Sequence, residues 1–417
     1  MSVTRVPTEE LDKLLTALIT SSEGISDILF VAGKPPQVEV YGRLHAAEGV
    51  TEPVLNSDRI QGLALAIISN NKLLEDLATN GSCDCSYSLA GVCRFRVNIF
   101  RQNGNHAMVL RRLSSEVPTM EKLKLAPVFY DIIKEKTGLV FVTGGTGSGK
   151  TTTLAALLNE INQNNEYHIV TLEDPIEFLH PQLKCTLSQR ELGKDFYRFP
   201  DGLRAALRQA PKIILVGEIR DRETMEIALT AGETGHIVYS TLHTISAGQS
   251  VNRILGMFSR EEEEQVRERL AETLRFIVSQ RLVPKKSGGR LLITELLGSS
   301  LRSREAILMG ENENRRLIDI IEAGSTTGWH SFEQSLAKAY EEDLVTEETA
   351  YLYSVNKQVM RQRIDAINKR IKASAGSMNL KMAGLDKQPA PAPKPPAMPS
   401  MAPRSPTTPP PIPKPAG

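Results

Sequence analysis

Eight consecutive residues, Gly144-Gly145-Thr146-Gly147-Ser148-Gly149-Lys150-Thr151, fill every fixed position of GxxxxGK[ST], and a second threonine, Thr152, follows. Glycines let such a loop curl until several backbone N–H groups converge on one phosphate, while the N-terminus of the next helix adds partial positive charge. Lys150 would then reach the β and γ phosphates and Thr151 would offer its hydroxyl to Mg²⁺, so ATP and Mg²⁺ are the expected cofactors. The flanks agree with this reading. Leu139 to Thr143 supplies an incoming strand, and Leu154, Leu157, Leu158 and Ile161 place an apolar stripe on the helix that follows.

Phosphoryl transfer also needs acids. The apolar run Ile213-Ile214-Leu215-Val216 ends in Gly217-Glu218, which sets a carboxylate at the carboxyl end of a sheet strand. Strands of this kind usually end in two acids, one for the Mg²⁺ shell and one to orient the attacking water, and here glycine takes the first place. Glu173 and Asp174 follow the strand Ile169 to Leu172 and point to the same edge, so they supply the replacement. Glu218 is therefore expected as general base and Glu173 as the Mg²⁺-side acid, with Asp174 in support.

Three further groups have the right chemistry. His236 and His243 bracket the strand Ile237 to Thr241, at opposite ends, so they are not a chelating pair; an imidazole near the phosphate edge could sense the γ-phosphate. Arg94, Arg96, Arg101, Arg111 and Arg112 crowd two adjacent predicted strands, either as a solvated basic face or as a source of an arginine that stabilises the transferring phosphoryl group. By contrast, Glu261 to Glu264 with Arg267 and Arg269 reads as an exposed helix laced by i,i+4 pairs such as Glu263 to Arg267.

These residues need elements to hold them. Residues 1–113 read as a small α+β domain: an amphipathic helix carrying Leu11, Leu14, Leu15, Leu18 and Ile19, then strand pairs over Asp27 to Gly42, Phe95 to Phe100 and Ala107 to Arg112. A polar linker, 114–122, contains Pro118. From 123 to 372, short Val/Ile/Leu runs alternate with helical stretches, which predicts an α/β domain with a mostly parallel sheet and helices on both faces. After Leu297 the pattern is helical, with Phe332, Leu336, Ala339 and Tyr340 on one face of Ser331 to Tyr353. The remainder, 373–417, holds more than half of the 24 prolines and reads as a disordered extended tail.

Bulk properties narrow the class. The 417 residues carry 50 basic and 49 acidic side chains, so the overall field gives no reason to expect nucleic-acid binding. Cys83, Cys85, Cys93 and Cys185 match no zinc or disulfide spacing and read as free thiols of a reducing compartment. No stretch resembles a signal peptide or approaches the ~18 apolar residues of a membrane span, so the chain is expected in the cytoplasm, peripheral to any membrane it serves.

Four stretches together resemble the secretion-type ATPase superfamily: the phosphate loop; Thr171-Leu172-Glu173-Asp174-Pro175-Ile176-Glu177, its Asp box; Ile214-Leu215-Val216-Gly217-Glu218, its Walker B strand; and Thr234-Gly235-His236 through Thr241-Leu242-His243, its His box. Within it the chain is most similar to the retraction branch, PilT and PilU, over roughly residues 8–365, including Ser188-Gln189-Arg190-Glu191 and Arg94-Phe95-Arg96-Val97-Asn98. Where PilT proteins carry an AIRNLIRE helix, this chain reads Ser303-Arg304-Glu305-Ala306-Ile307-Leu308-Met309-Gly310, so the resemblance does not separate PilT from PilU. The four-cysteine zinc module of the assembly motors is missing, which favours retraction. The resemblance implies a PAS-like N-terminal domain, a RecA-like ATPase domain, and a homohexamer in which Arg96 and Arg111 reach the neighbour's nucleotide. It also implies a motor at the inner face of the inner membrane that turns a pilus platform protein, with a paralogous retraction ATPase as a possible partner. The alternatives are an assembly or type II secretion motor of the same superfamily, and an accessory nucleotide-binding subunit.

Overall fold

The computed structural model describes residues 4–50, 54–114 and 116–385. Helix α1 (Thr8–Thr20) buries Leu11, Leu14, Leu15, Leu18 and Ile19, the face its periodicity predicts. Strands β1 (Ile25–Phe30), β2 (Gln37–Val40) and β3 (Arg43–Ala46) follow. Then come helices α2 (Ser57–Ile67) and α3 (Asn71–Asn80), each started by an asparagine whose side chain accepts a backbone N–H of the first turn. Strands β4 (Ser82–Leu89), β5 (Cys93–Gln102) and β6 (Asn105–Leu113) complete a six-stranded antiparallel sheet of order β3-β2-β1-β6-β5-β4. Alternation along β5 turns Cys93, Phe95, Val97 and Ile99 into the core and leaves Arg94 and Arg96 on the other face.

After the short helix α4 (Phe129–Ile132), the second sheet begins at β7 (Gly138–Thr143). It continues through α5 (Lys150–Asn164), β8 (His168–Glu173), β9 (Thr186–Glu191), α6 (Phe199–Ala206), β10 (Ile213–Val216), α7 (Arg222–Glu233) and β11 (Ile237–Leu242). Helices α8 (Ala247–Leu255) and α9 (Glu263–Thr273) lead to β12 (Leu274–Pro284) and β13 (Arg290–Gly298). The strand order is β13-β12-β7-β11-β10-β8-β9, and every neighbouring pair is parallel except the β12–β13 hairpin. Because β7, β10 and β11 are covered on both faces, every residue in them is buried. The parallel arrangement sends the carboxyl ends of β7, β8, β10 and β11 to one edge, where open α/β sheets place their ligands.

Sequence pattern picks out β7, β8, β10 and β11 but not β9, β12 or β13. In β12, Ser279 and Gln280 are buried polar residues that interrupt the apolar run. In β9, an edge strand reading Thr186-Leu187-Ser188-Gln189-Arg190-Glu191, polar side chains mask the period altogether. Past the sheet lie α10 (Leu301–Met309), α11 (Leu317–Ala323), α12 (Phe332–Glu341), α13 (Glu347–Tyr353) and α14 (Lys357–Leu385). The stretch Ser331 to Tyr353 is thus two helices, the first burying Phe332, Leu336 and Ala339. Helix α14 runs past 373, where the tail was expected to begin, and 386–417 lie outside the described residues. The acid-rich helix α9 carries the expected Glu263–Arg267 pair at 2.7 Å, whereas Arg269 turns to Glu233 of α7. All four cysteines are free thiols.

Candidate nucleotide site

A cleft of about 360 Å³ opens at the carboxyl edge of the parallel sheet, and Lys150, Glu173 and Glu218 all line it. The loop between β7 and α5 is shaped by three glycines with positive φ, Gly144 at 145°, Gly147 at 75° and Gly149 at 90°. At Gly144 the need is also steric, because an added Cβ would stand 2.6 Å from the Gln280 carbonyl oxygen and 2.5 Å from Ser148 Oγ. The neighbouring strand β12 therefore forms the back wall of the loop. Gln280 reinforces that wall by donating from Nε2 to Thr153 Oγ1 of α5 at 2.7 Å. Thr146, Gly147, Lys150 and Thr151 face the cleft, while Gly145, Gly149 and Thr152 complete the loop and first helical turn and Ser148 packs inward. Lys150 Nζ donates to the carbonyls of Gly144 (2.9 Å) and Gly145 (3.1 Å). Burial draws its ammonium below the ordinary lysine range, and Glu218 and Glu177 pull the other way.

Glu173 ends β8 and is only 7% exposed. Its Oε1 accepts from Thr171 Oγ1 (2.6 Å) and Gln189 Nε2 (3.1 Å), and burial raises its carboxyl to about 7 against those two hydrogen bonds. Asp174, one residue on, is exposed to the cleft; burial raises it, while Arg96 and Arg220 draw it back down. Both acids line the cleft, Asp174 exposed to it and Glu173 buried in its wall and tied to β9.

Glycine at 217 has a structural reason. Its N–H donates to the Leu172 carbonyl at 2.8 Å, and an added Cβ would meet that same oxygen at 3.1 Å and Glu173 Cα at 3.5 Å. A side chain there would press β10 away from the end of β8. A residue larger than glycine at 217 is thus disfavoured by the β8 backbone, and the neighbouring acids of the cleft stand at 173 and 174.

Glu218 follows directly and is held from two sides, by Arg220 Nη2 on Oε2 at 2.7 Å and by His243 Nε2 on Oε1 at 3.2 Å. Burial pushes its carboxyl up, but the hydrogen bond and charge of Arg220, together with His243, outweigh that and leave it below the usual glutamate range. His243 thus stands beside the expected base. His236, at the other end of β11, bonds instead to the Ala231 carbonyl at 3.2 Å and does not line the cleft. Six residues of extended strand separate it from the phosphate edge, so a direct contact with the reacting phosphates is excluded for it within this chain.

The arginine pair also divides. Arg96 and Arg111 are direct cross-strand partners on β5 and β6. Arg96 lines the cleft of its own chain rather than being presented solely to a neighbour, because β5 lies over the loop that follows β8. Arg111 Nε is paired with Asp27 at 2.9 Å on the β1 side. Arg94, next to them, carries a contact the sequence did not disclose. Its guanidinium donates to Glu191 Oε2 at 3.1 Å and to the Ile176 carbonyl at 2.9 Å, and Glu191 accepts in turn from Ser86 Oγ and the Ile176 N–H. A buried ion pair thereby fastens the N-terminal domain to the loop that lines the cleft.

Other site residues were given no role of their own by the sequence. Gln189 splints the same loop, accepting from the His180 N–H (2.9 Å) while donating to Glu173 and the Phe178 carbonyl. Arg220 could have been found from its spacing, since alternate residues of an extended segment share a side and Glu218 lies two positions before it.

The donor set fits Mg²⁺ held jointly with phosphates: one hydroxyl, Thr151, and carboxylates at 173 and 174 are hard oxygen ligands. Among the described residues no group of three or more His, Cys, Asp or Glu is gathered as a metal cage, which suits an ion that keeps waters and phosphate oxygens as its other ligands.

A lysine loop at the head of α5, acids at the ends of two adjacent parallel strands and an arginine over the opening define a P-loop nucleotide-binding ATPase site. Residues 77–362 match the family model described as "Type II/IV secretion system protein", and the chain belongs to that family. It is 40% identical over 331 residues to the type IV pilus retractation ATPase PilT of Pseudomonas aeruginosa, covering 79% of this chain and 94% of that protein. It is 36% identical over 356 residues to the type IV pilus ATPase PilU of the same organism, covering 85% and 91%. The solved structure of the pilus retraction motor PilT with bound ADP superposes with a TM-score of 0.75 at 39% identity, over 85% of this chain and 98% of that one.

Proposed function

We propose that ATP hydrolysis in this cleft drives type IV pilus retraction, the chain being an ATPase motor of the PilT/PilU type. The observation that carries this reading is the convergence of Lys150, Glu218 and Arg96 on one cleft in a chain similar along most of its length to retraction ATPases. Lys150 and the loop N–H groups hold the phosphates. Thr151 and Asp174, with Glu173 behind, would hold Mg²⁺, which when bound offsets charge on the β and γ oxygens. Glu218 takes a proton from the attacking water, the new P–O bond forms at the γ phosphorus, the bond to the bridging oxygen breaks and ADP leaves. Arg96 faces the charge that builds on the transferring oxygens, and His243 orients the base.

The motor acts as a homohexamer, in which each turnover shifts an N-terminal domain against its neighbour and turns a pilus platform protein at the inner face of the inner membrane. A paralogous retraction ATPase shares that platform. No helix among the described residues is long and apolar enough to cross a membrane, which suits a peripheral, cytoplasmic role. The test is Glu218→Gln against wild type, measuring ATP turnover and fibre withdrawal in the same strain background. Both are expected to vanish while nucleotide binding and hexamers persist; withdrawal that continues without turnover would overturn the motor reading.

A further inference from the structure

The base is not free in this structure, and the residue that occupies it has no part in the scheme above. After β10, the Ile219 side chain is buried and its N–H donates to the Thr241 carbonyl at 3.3 Å. With Ile219 anchored inward, the residues on either side of it share the opposite side, toward the cleft. Glu218 and Arg220 both line the cleft, with Arg220 Nη2 2.7 Å from Glu218 Oε2.

We propose that Arg220 is a positioning residue that restrains Glu218 in a resting arrangement, and that nucleotide entering the cleft draws Arg220 off and so releases the base. The inference rests on the assignment of Glu218 as base and adds a device that controls it.

Three features support it. First, each carboxylate oxygen of Glu218 has one donor on it, His243 on one and Arg220 on the other, so a water seeking a proton acceptor finds part of the acceptor capacity taken and the remaining lone pairs weakened by a neighbouring donor. Second, the two partners differ in freedom. The Glu218 side chain is 21% exposed, whereas that of Arg220 is 72% exposed and reaches the carboxylate from open solvent. An ion pair of this exposure is weakly held and yields readily to a competitor. Third, the competitor is the substrate itself. A triphosphate brings several negative oxygens into a cleft whose other titratable or charged groups are Lys150 on the phosphate loop, Glu173 and Asp174 at the end of β8, Glu177 and His180 in the following loop, His243 after β11 and Arg96 on β5. Guanidinium groups bind phosphate through parallel N–H donors, and Arg220 is a largely exposed one within the cleft. Once it moves, Oε2 of Glu218 regains a lone pair and its basicity rises at the moment phosphates are present. An empty cleft keeps a poor base; a filled one makes a better one.

On this proposal the pair holds before nucleotide enters the cleft and is broken after, so its signature lies in the difference between two pH profiles. The acid limb of kcat/KM reports the free enzyme and that of kcat reports the nucleotide complex. Full-length wild type, Arg220→Gln and Arg220→Lys are compared for ATP turnover across pH at saturating and limiting ATP. In Arg220→Gln the missing positive charge lets the Glu218 pKa rise, so the acid limb of kcat/KM should move to higher pH by up to about 0.7 unit, while the acid limb of kcat stays where it is in wild type. Arg220→Lys keeps the charge and should leave the kcat/KM limb close to wild type. A kcat/KM limb that stays put in Arg220→Gln overturns the restraint, and limbs that move together overturn the release. If the glutamine variant does not fold, Arg220→Met removes the charge at similar volume and is read the same way. Glu218→Gln run alongside separates the two assignments: turnover that survives in it rejects the base itself, whatever the Arg220 variants do.

Discussion

Strands β8 and β10 lie side by side in parallel register, and a glutamate stands at the end of each, yet the two carboxyl groups meet opposite surroundings. Glu173 is enclosed, takes hydrogen bonds from neutral donors and holds its proton up to about 7. Glu218, one strand over, is held by Arg220 and His243 and ionises below the usual range. Two carboxyl groups lining one cleft are thereby set for different work, a proton acceptor at 218 and a group behind the metal side at 173. The lesson is that strand position alone does not assign an acid its role; what the next few side chains donate to it does.

The contrast can be broken at either acid. The largest effect is expected from Glu218→Gln, which keeps shape but removes the acceptor, and phosphate-release assays should show kcat falling by about 10²–10⁴-fold with nucleotide affinity kept. The next is a stability effect of the opposite acid. Glu173 has its folded pKa raised, so between about 4.5 and 7 the folded chain binds more protons than the unfolded one, and stability is lost as pH rises through that window. Glu173→Gln removes this penalty, and urea titrations of the nucleotide-free protein should find it more stable than wild type above pH 7, by at most about 3 kcal/mol. A variant no more stable at pH 8 than at pH 5 relative to wild type would show that Glu173 is ionised throughout. Third, the same variant should lose about 10–100-fold in turnover at limiting Mg²⁺ and recover part of it as Mg²⁺ is raised, since the carboxylate behind the metal side is gone. The smallest is the stability change in Glu218→Gln. Its lowered folded pKa contributes stability that is present above the unfolded pKa and lost as pH falls, but the exposed Arg220 partner limits it to under about 1 kcal/mol at neutral pH.

Much of this site was readable before any coordinates. The phosphate loop carries its own context in β7 and α5, and the acids at 173, 174 and 218 follow from apolar runs that end at one edge. The seven-residue step from His236 to His243 already put the two imidazoles at opposite ends of a strand. What the sequence hides are contacts made by polar residues that look solvated. Gln189 and Glu191 sit on an edge strand with no apolar period, Gln280 is a buried amide in a strand broken by Ser279, and Arg94 has the same alternation as its neighbours. Their partners lie far along the chain, 97 residues away in the case of Arg94 and Glu191, and periodicity reports only what a residue shares with its near neighbours. Gly217 shows the reverse: an apparent gap in a motif that becomes intelligible once β8 is seen pressing against it.

The clamp of Arg94 on Glu191 and Ile176 has a mechanical consequence. One guanidinium and one carboxylate, braced by Ser86 and the Ile176 backbone, join the N-terminal domain to the wall of the cleft. With the Asn70 amide on the Gly193 carbonyl at 2.7 Å beside it, this short joint ties a shift of the cleft wall to the N-terminal domain, and a load on that domain to the wall.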